Sequence, residues 1–209
     1  MYIPRVNEET RVPVMQELIE AQPFASLISL GVSGLFGSHL PMVLDRDGSE
    51  FGVLKGHISR ANTQWRDLVA TTDVLAIFAG PHHYISASWY PGKKEDGREV
   101  PTWNYAVVHA YGPMRVVEDP EWLLAHLSSL TDIHEAGSEV PWKVSDAPVD
   151  FIAALLNGIV GVEVPIRRLE GKWKVSQNRN ERDRKAVVEG LERVGSSESL
   201  VMKGLVERG

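Results

Sequence analysis

The sequence predicts a mainly β chain with peripheral helices, an α+β fold built on an antiparallel barrel. Two observations carry this. Five or six apolar or alternating runs follow one another with Gly, Pro and Asp turns between them, which is the pattern of hairpin succession. The helical patterns stand at the ends and between hairpins. A doubly wound parallel sheet would instead alternate strand and helix throughout. The chain carries no internal repeat and no low-complexity segment.

Each element has a local reason. Thr10 stands as an N-cap, Pro13 is tolerated in a first turn, and Val14, Leu18 and Ile19 keep helical spacing to Ala21. Pro23 ends that helix. Ala25 to Leu30 is apolar enough for a buried strand, and Gly31 and Gly34 mark a turn. Leu35 to Leu44 is a second strand interrupted by Pro41, and Asp45-Arg46-Asp47-Gly48 is a hairpin turn. Phe51 to Ile58 returns as the third strand. Asn62 caps a short helix through Leu68 and Val69, and Val74 to Ala79 is a fully covered strand. Pro81 to Pro91 reads as irregular and aromatic-rich, and Gly92 to Arg98 as a charged, mobile loop. Trp103 to Glu118 alternates over a long span with a bend at Gly112-Pro113. Asp119 caps a helix from Pro120 to about Ser129, and Val149 to Leu156 is a short apolar helix. Ile159 to Leu169 is a last long strand, ending near Val175. Glu181 to Val194 is an amphipathic helix, and a second helix follows from Ser197.

Composition narrows the function classes. The 209 residues suit one large domain, and no domain boundary is legible before residue 175. The absence of cysteine excludes disulfides, thiolate metal sites and a cysteine nucleophile. It fits a cytoplasmic protein. Met1-Tyr2-Ile3-Pro4-Arg5 lacks the apolar core of a signal peptide, and no run has the length of a membrane span. A net charge of −6 withholds the basic surface that duplex binding normally needs.

The most informative stretch is Phe51 to Asn62. A strand runs out of apolar residues into His57, Ser59, Arg60 and Asn62, where a helix is predicted to begin. Unpaired N–H groups at a helix start, a guanidinium fork and one-face donors form a phosphate-binding pattern. The alternative reading is a solvated helix cap with a surface charge. Elsewhere, Trp89, Tyr90, Trp103 and Tyr105 form the densest aromatic patch, suited to stacking on a planar ligand, to a subunit contact, or to core packing. His82-His83 places adjacent imidazoles on opposite strand faces and has no carboxylate at metal-ligand spacing, so no metal site is expected. Ser86 and Ser88 lack a nucleophile elbow, and no phosphate-binding Gly-rich loop is present.

Six motifs occur in order: Met1-Tyr2-Ile3-Pro4, Gly56-His57-Ile58-Ser59-Arg60-Ala61-Asn62, Ser88-Trp89-Tyr90-Pro91, Val100-Pro101-Thr102-Trp103-Asn104-Tyr105, Val108-His109-Ala110-Tyr111-Gly112 and Lys174-Val175-Ser176-Gln177-Asn178. Together they make residues 1 to about 180 resemble the PaiB family of FMN-binding negative transcriptional regulators. That family belongs to the FMN-binding split barrels, related to pyridoxamine-phosphate oxidase. The resemblance implies a split barrel over residues 1–178, and the tail over 179–209 reads as a helical extension packed on it. The resemblance also implies a homodimer with FMN between subunits. Ser59-Arg60 stands where the oxidases carry a Ser-Arg-Lys phosphate grip. Ala61-Asn62 replaces the second basic residue, which leaves His57 or Lys55 to compensate. Ser38, His39 and Leu40 stand on the strand expected to wall the flavin ring. His39 is equally open to an exposed edge position. Trp103, Tyr105 and Gln177 complete the candidate set, Gln177 being equally open to a plain strand end. The family name implies a regulator, with nucleic acid as a partner that the charge does not support. A flavin-dependent oxidoreductase is the alternative, because FMN carries its own redox chemistry and requires no catalytic acid or base motif. Whether the chain is an enzyme stays open. Haem, with His39, His57 or His109 as axial ligand, is a third option.

Overall fold

The structure is a computed structural model and describes residues 1–69 and 71–209. In chain order its elements are β1 (Glu8–Glu9), α1 (Val12–Ala21), β2 (Phe24–Gly31), β3 (Gly34–Pro41), β4 (Val43–Asp45), β5 (Val53–Ser59), β6 (Val74–Ile85), α2 (Gly92–Glu95), β7 (Thr102–Gly112), β8 (Arg115–Val117), α3 (Pro120–Glu135), α4 (Val149–Leu156), β9 (Ile159–Pro165), β10 (Arg168–Lys174), α5 (Glu181–Val194) and α6 (Ser197–Arg208). The fold is α+β with antiparallel pairing, as the patterning predicts. Among the described residues the strands form two open sheets, not one closed ring.

The chain divides into two compact units. Unit 1 holds Met1–Leu18, Ala79–Val108 and Glu170–Gly209, and unit 2 holds Ile19–Phe78 and His109–Leu169.

Unit 2 carries β2, β3 and the start of β6 in one sheet, and β4-β5-β9-β8 in the other. The β2–β3 hairpin turns at Val32-Ser33, and Gly34 takes the positive φ of 112° that closes it. Pro41 ends β3, and Met42 donates its N–H to Pro23 O at 2.9 Å. The next strand, β4, therefore pairs in the second sheet, where Leu44 faces Leu54. Gly56 sits under this corner, where a Cβ would lie 2.9 Å from Leu40 Cδ1. Leu27, Leu40, Met42, Leu54, Phe78 and Val162 fill the core of the unit. The strand expected to run from Ile159 to Leu169 is two strands. Pro165 has no donor to continue the ladder, and Ile166 and Arg167 turn their N–H groups to Gly52 O and Tyr111 O. At Gly112 the backbone passes so close to Pro165 O that a Cβ would lie 2.1 Å from it.

In unit 1 the order is β1-β10-β7-β6. Helices α5 and α6 bury Val187, Leu191, Met202 and Val206 against Ile85, Tyr90 and Val175. Gly190 gives α5 its close approach, since a Cβ there would lie 2.3 Å from the Trp89 indole. Asn180 caps α5 by accepting from Asp183 N–H, and Gly195 ends it with φ 68°. Residues 81–85, read as irregular, continue β6, with Gly80 and Ile85 buried and His82 and Tyr84 exposed. Residues 92–95, read as loop, form the single helical turn of α2.

The helix expected from Asn62 through Val69 is one 3₁₀ turn, Thr63–Trp65. Asn62 does cap it, accepting from Gln64 N–H at 2.9 Å. Bonds to β2 hold the turn and the segment after it. The Gln64 amide donates to Leu27 O and Ser29 Oγ in the core, and Val69 N–H donates to Leu30 O. Long-range bonds to β2 outweigh the local propensity.

Candidate functional site

The site begins at the end of β5 in unit 2. Ser59 is the last strand residue, and its Oγ accepts from Ala61 N–H at 3.3 Å. Arg60 donates its backbone N–H to Gly158 O, and its Nε and Nη2 to Asn157 O (2.9 Å) and Ile159 O (3.1 Å). It thereby caps the carbonyl end of α4, where a cation meets the negative end of the helix. Its remaining arm, Nη1, donates to Glu118 Oε1 at 2.5 Å. Asn62 donates its amide to Ser38 Oγ at 2.8 Å, tying this rim to β3. A single 3₁₀ turn carries no helix dipole of consequence, so attraction for an anion here rests on Arg60 and the nearby hydroxyl and amide groups.

On β3, His39 Nδ1 lies 3.0 Å from Ser26 Oγ, and its ring stacks against Phe24 at a centroid distance of 6.3 Å. Leu40 is buried over Gly56. Ser59, Arg60 and Asn62 thus lie within four consecutive residues, and one direct bond joins Asn62 to Ser38, with His39 next to Ser38 on the same edge strand.

Lys55 and His57 share a strand face with Ser59 but serve another place. Lys55 Nζ donates to Asp45 Oδ2 at 2.6 Å. His57 Nδ1 lies 3.2 Å from His126 Nε2 on α3, and Trp122 stacks on His126 at 5.3 Å and 19°. Trp122 Nε1 donates to Glu163 Oε1 at 3.0 Å, and its ring rests on Gly161, where a Cβ would lie 2.3 Å away. Burial pushes both imidazoles below their ordinary pKa. His126 falls to about 4, with the neighbouring His57 and Lys55 charges adding to the burial effect. At neutral pH the pair is uncharged, one ring donating and the other accepting. A cavity of about 560 Å³ opens beside it, between α3 and the Val43–Arg46 edge. His126 was not singled out in the sequence, yet its i, i+4 spacing from Trp122 in a helical run is the signal that finds it.

Trp103, Tyr105 and Gln177 belong to unit 1 and are described there. Trp103 is 48% exposed, donates Nε1 to His82 Nδ1 at 3.3 Å and meets Tyr84 edge-on. The Tyr105 ring lies 5.3 Å from Lys172 Nζ. The Gln177 amide closes on its own turn, accepting from Val175 N–H and donating to Trp173 O, next to Ser176 at φ 65°. His83 stacks on Trp89. In unit 2, His109 Nδ1 lies 3.3 Å from the Tyr111 hydroxyl. No helix among the described residues is long and apolar enough to cross a membrane.

Residues 1–168 match the family model described as "Putative FMN-binding domain". The chain is similar to an uncharacterized protein of Emericella nidulans, with 34% identity covering 100% of this chain and 98% of the other. It is similar to "Protease synthase and sporulation protein PAI 2" of Bacillus subtilis, with 31% identity covering 99% of this chain and 97% of that protein. Among solved structures it shares its fold with the FAD and heme binding protein from Mycobacterium smegmatis, at TM-score 0.57 and 13% identity over 80% of this chain and 73% of that one. The split-barrel fold of flavin-binding proteins, implied by the sequence motifs, is the fold these comparisons return.

Proposed function

Because the chain belongs to the FMN-binding domain family, with FMN as the cofactor that membership assigns, we propose that Ser59, Arg60 and Asn62 of unit 2 hold the FMN phosphate. One observation carries this reading. The guanidinium of Arg60 already holds an anion, the Glu118 carboxylate, while two backbone carbonyls orient it from the other side. A phosphate monoester has the same chemistry as that carboxylate and more charge. The donor set fits the group: one guanidinium arm, a hydroxyl at Ser59 and an amide at Asn62. The Asn62–Ser38 bond supports placing the flavin ring along β3, beside Ser38 and His39. When bound, FMN supplies reversible electron transfer. The chain's own residues anchor and orient it.

The protein acts on this reading as a flavin-dependent regulator without direct contact to DNA. The net charge of −6 supports that restriction. We place it in the cytoplasm, in keeping with its lack of cysteine. A homodimer is supported by apolar surface left open in each unit, at Trp103, Tyr84 and Val100 in one and at Phe24 and Leu35 in the other.

The test is a pair of titrations with FMN and riboflavin, followed by NADH and NADPH. Preference for FMN over riboflavin by about tenfold or more supports a phosphate grip at a charged rim. Equal binding of the two removes it. Bleaching of the bound flavin by a nicotinamide, with turnover, moves the protein from regulator to oxidoreductase. Light scattering on the eluted protein decides the dimer.

A further inference from the structure

Arg60 is seated by the chain's own backbone. Three bonds to the α4–β9 connection, from its backbone N–H, Nε and Nη2, fix the guanidinium plane and leave Nη1 to meet an anion. Glu118 meets it there. Glu118 stands between β8 and Asp119, the N-cap of α3, so its backbone is held on both sides. Its side chain is nevertheless 56% exposed and pairs with Arg60 alone among the described residues.

A carboxylate so placed acts in two ways on an incoming phosphate. It occupies the donor that the phosphate needs, and its charge repels a dianion that arrives beside it. An exposed ion pair is weak, so displacement is feasible, and a dianion displaces it more readily than a singly charged ion. We propose that Glu118 is an intramolecular competitor for the phosphate at Arg60, and that it sets both the affinity for FMN and the margin by which FMN is preferred over riboflavin. This rests on the reading that Arg60 holds the phosphate.

The experiment titrates FMN and riboflavin, by quenching of flavin fluorescence, into the parent protein, Glu118→Gln, Glu118→Ala, Arg60→Gln and the double variant Arg60→Gln/Glu118→Gln. The alanine variant covers the case in which the glutamine carbonyl still accepts from Arg60. Circular dichroism of each variant confirms the fold, because Arg60 also caps α4. Removing the carboxylate is expected to tighten FMN binding by about five- to tenfold and to leave riboflavin within about twofold. In the Arg60→Gln background the gain disappears. If both Glu118 variants bind FMN like the parent while Arg60→Gln weakens it, the competitor role is overturned and the phosphate site stands. If Arg60→Gln binds FMN like the parent, both fall. Equal tightening of FMN and riboflavin also overturns the competitor role, because the effect then ignores the phosphate.

Discussion

His57 and Ser59 leave the same face of β5, two residues apart, and meet opposite environments. His57 lies under α3 against His126, in a neutral pair held by burial and by the Trp122 stack. Ser59 opens onto solvent beside Arg60, whose one exchangeable partner is an exposed carboxylate. The strand alternation that puts both on one face says nothing of what covers that face. Burial turns the first place into packing, and exposure leaves the second available for ligand chemistry. Four experiments break or sharpen this contrast.

The largest effect is expected from Gly161→Val, which drives a side chain into the Trp122 ring. We expect a loss of about 3 kcal/mol in urea unfolding. The ratio of FMN to riboflavin affinity is unchanged in the fraction that folds. A shift in that ratio would join the two places into one site. Next, Arg60→Gln weakens FMN binding by about 1.5–3 kcal/mol, tenfold to a hundredfold in titration, because a charge-assisted contact is lost.

Third comes a pH effect confined to the buried pair. An imidazole in the unfolded chain takes up a proton near pH 6.5, whereas His126 in the fold does so near 4. Between those values the unfolded state binds more protons, so stability falls as pH drops through the window. About 2 kcal/mol of the stability at pH 7 is gone at pH 5. Urea midpoints for the parent and His126→Leu across that range check it, with the variant showing the flatter profile. An equally steep profile in the variant places the titration elsewhere. The smallest effect is Asn62→Ala, about 1 kcal/mol in unfolding from the lost cap. It also cuts the link to Ser38, so a modest weakening of FMN accompanies it.

The fold was legible where local pattern and final packing agree. The α4 and α5 boundaries coincide with the residues read from periodicity, Val149–Leu156 and Glu181–Val194. It was illegible where a distant partner decides. The helix predicted from Asn62 stops after one turn because Val69 N–H goes to Leu30 O on β2, and the last long strand divides because Gly52 and Tyr111 capture the two amides after Pro165. For the candidate site, the sequence marks Ser38, Ser59, Arg60 and Asn62, of which Asn62 and Ser38 are joined by a direct bond in unit 2. It could not mark Glu118, since a lone acid at a strand end has no periodic or motif signature. Nor could it show that Lys55 pairs with Asp45 across the β4–β5 hairpin, or that Gln177 bonds within its own turn, because those bonds depend on side-chain conformation.

Unit 1 is stitched from three separated stretches, and Glu8 at its start pairs with Lys172 near its close. On the ribosome, unit 2 has all its residues once Leu169 has emerged, whereas the early strand Glu8–Glu9 waits until Gly171 and Lys172 have followed. Vectorial synthesis thus imposes a sequence of events in which the rim around Arg60 can form first and the sheet edge at Glu8 is left unpaired until β10 arrives. Nascent chains stalled near residue 170 are where chaperone dependence will be greatest.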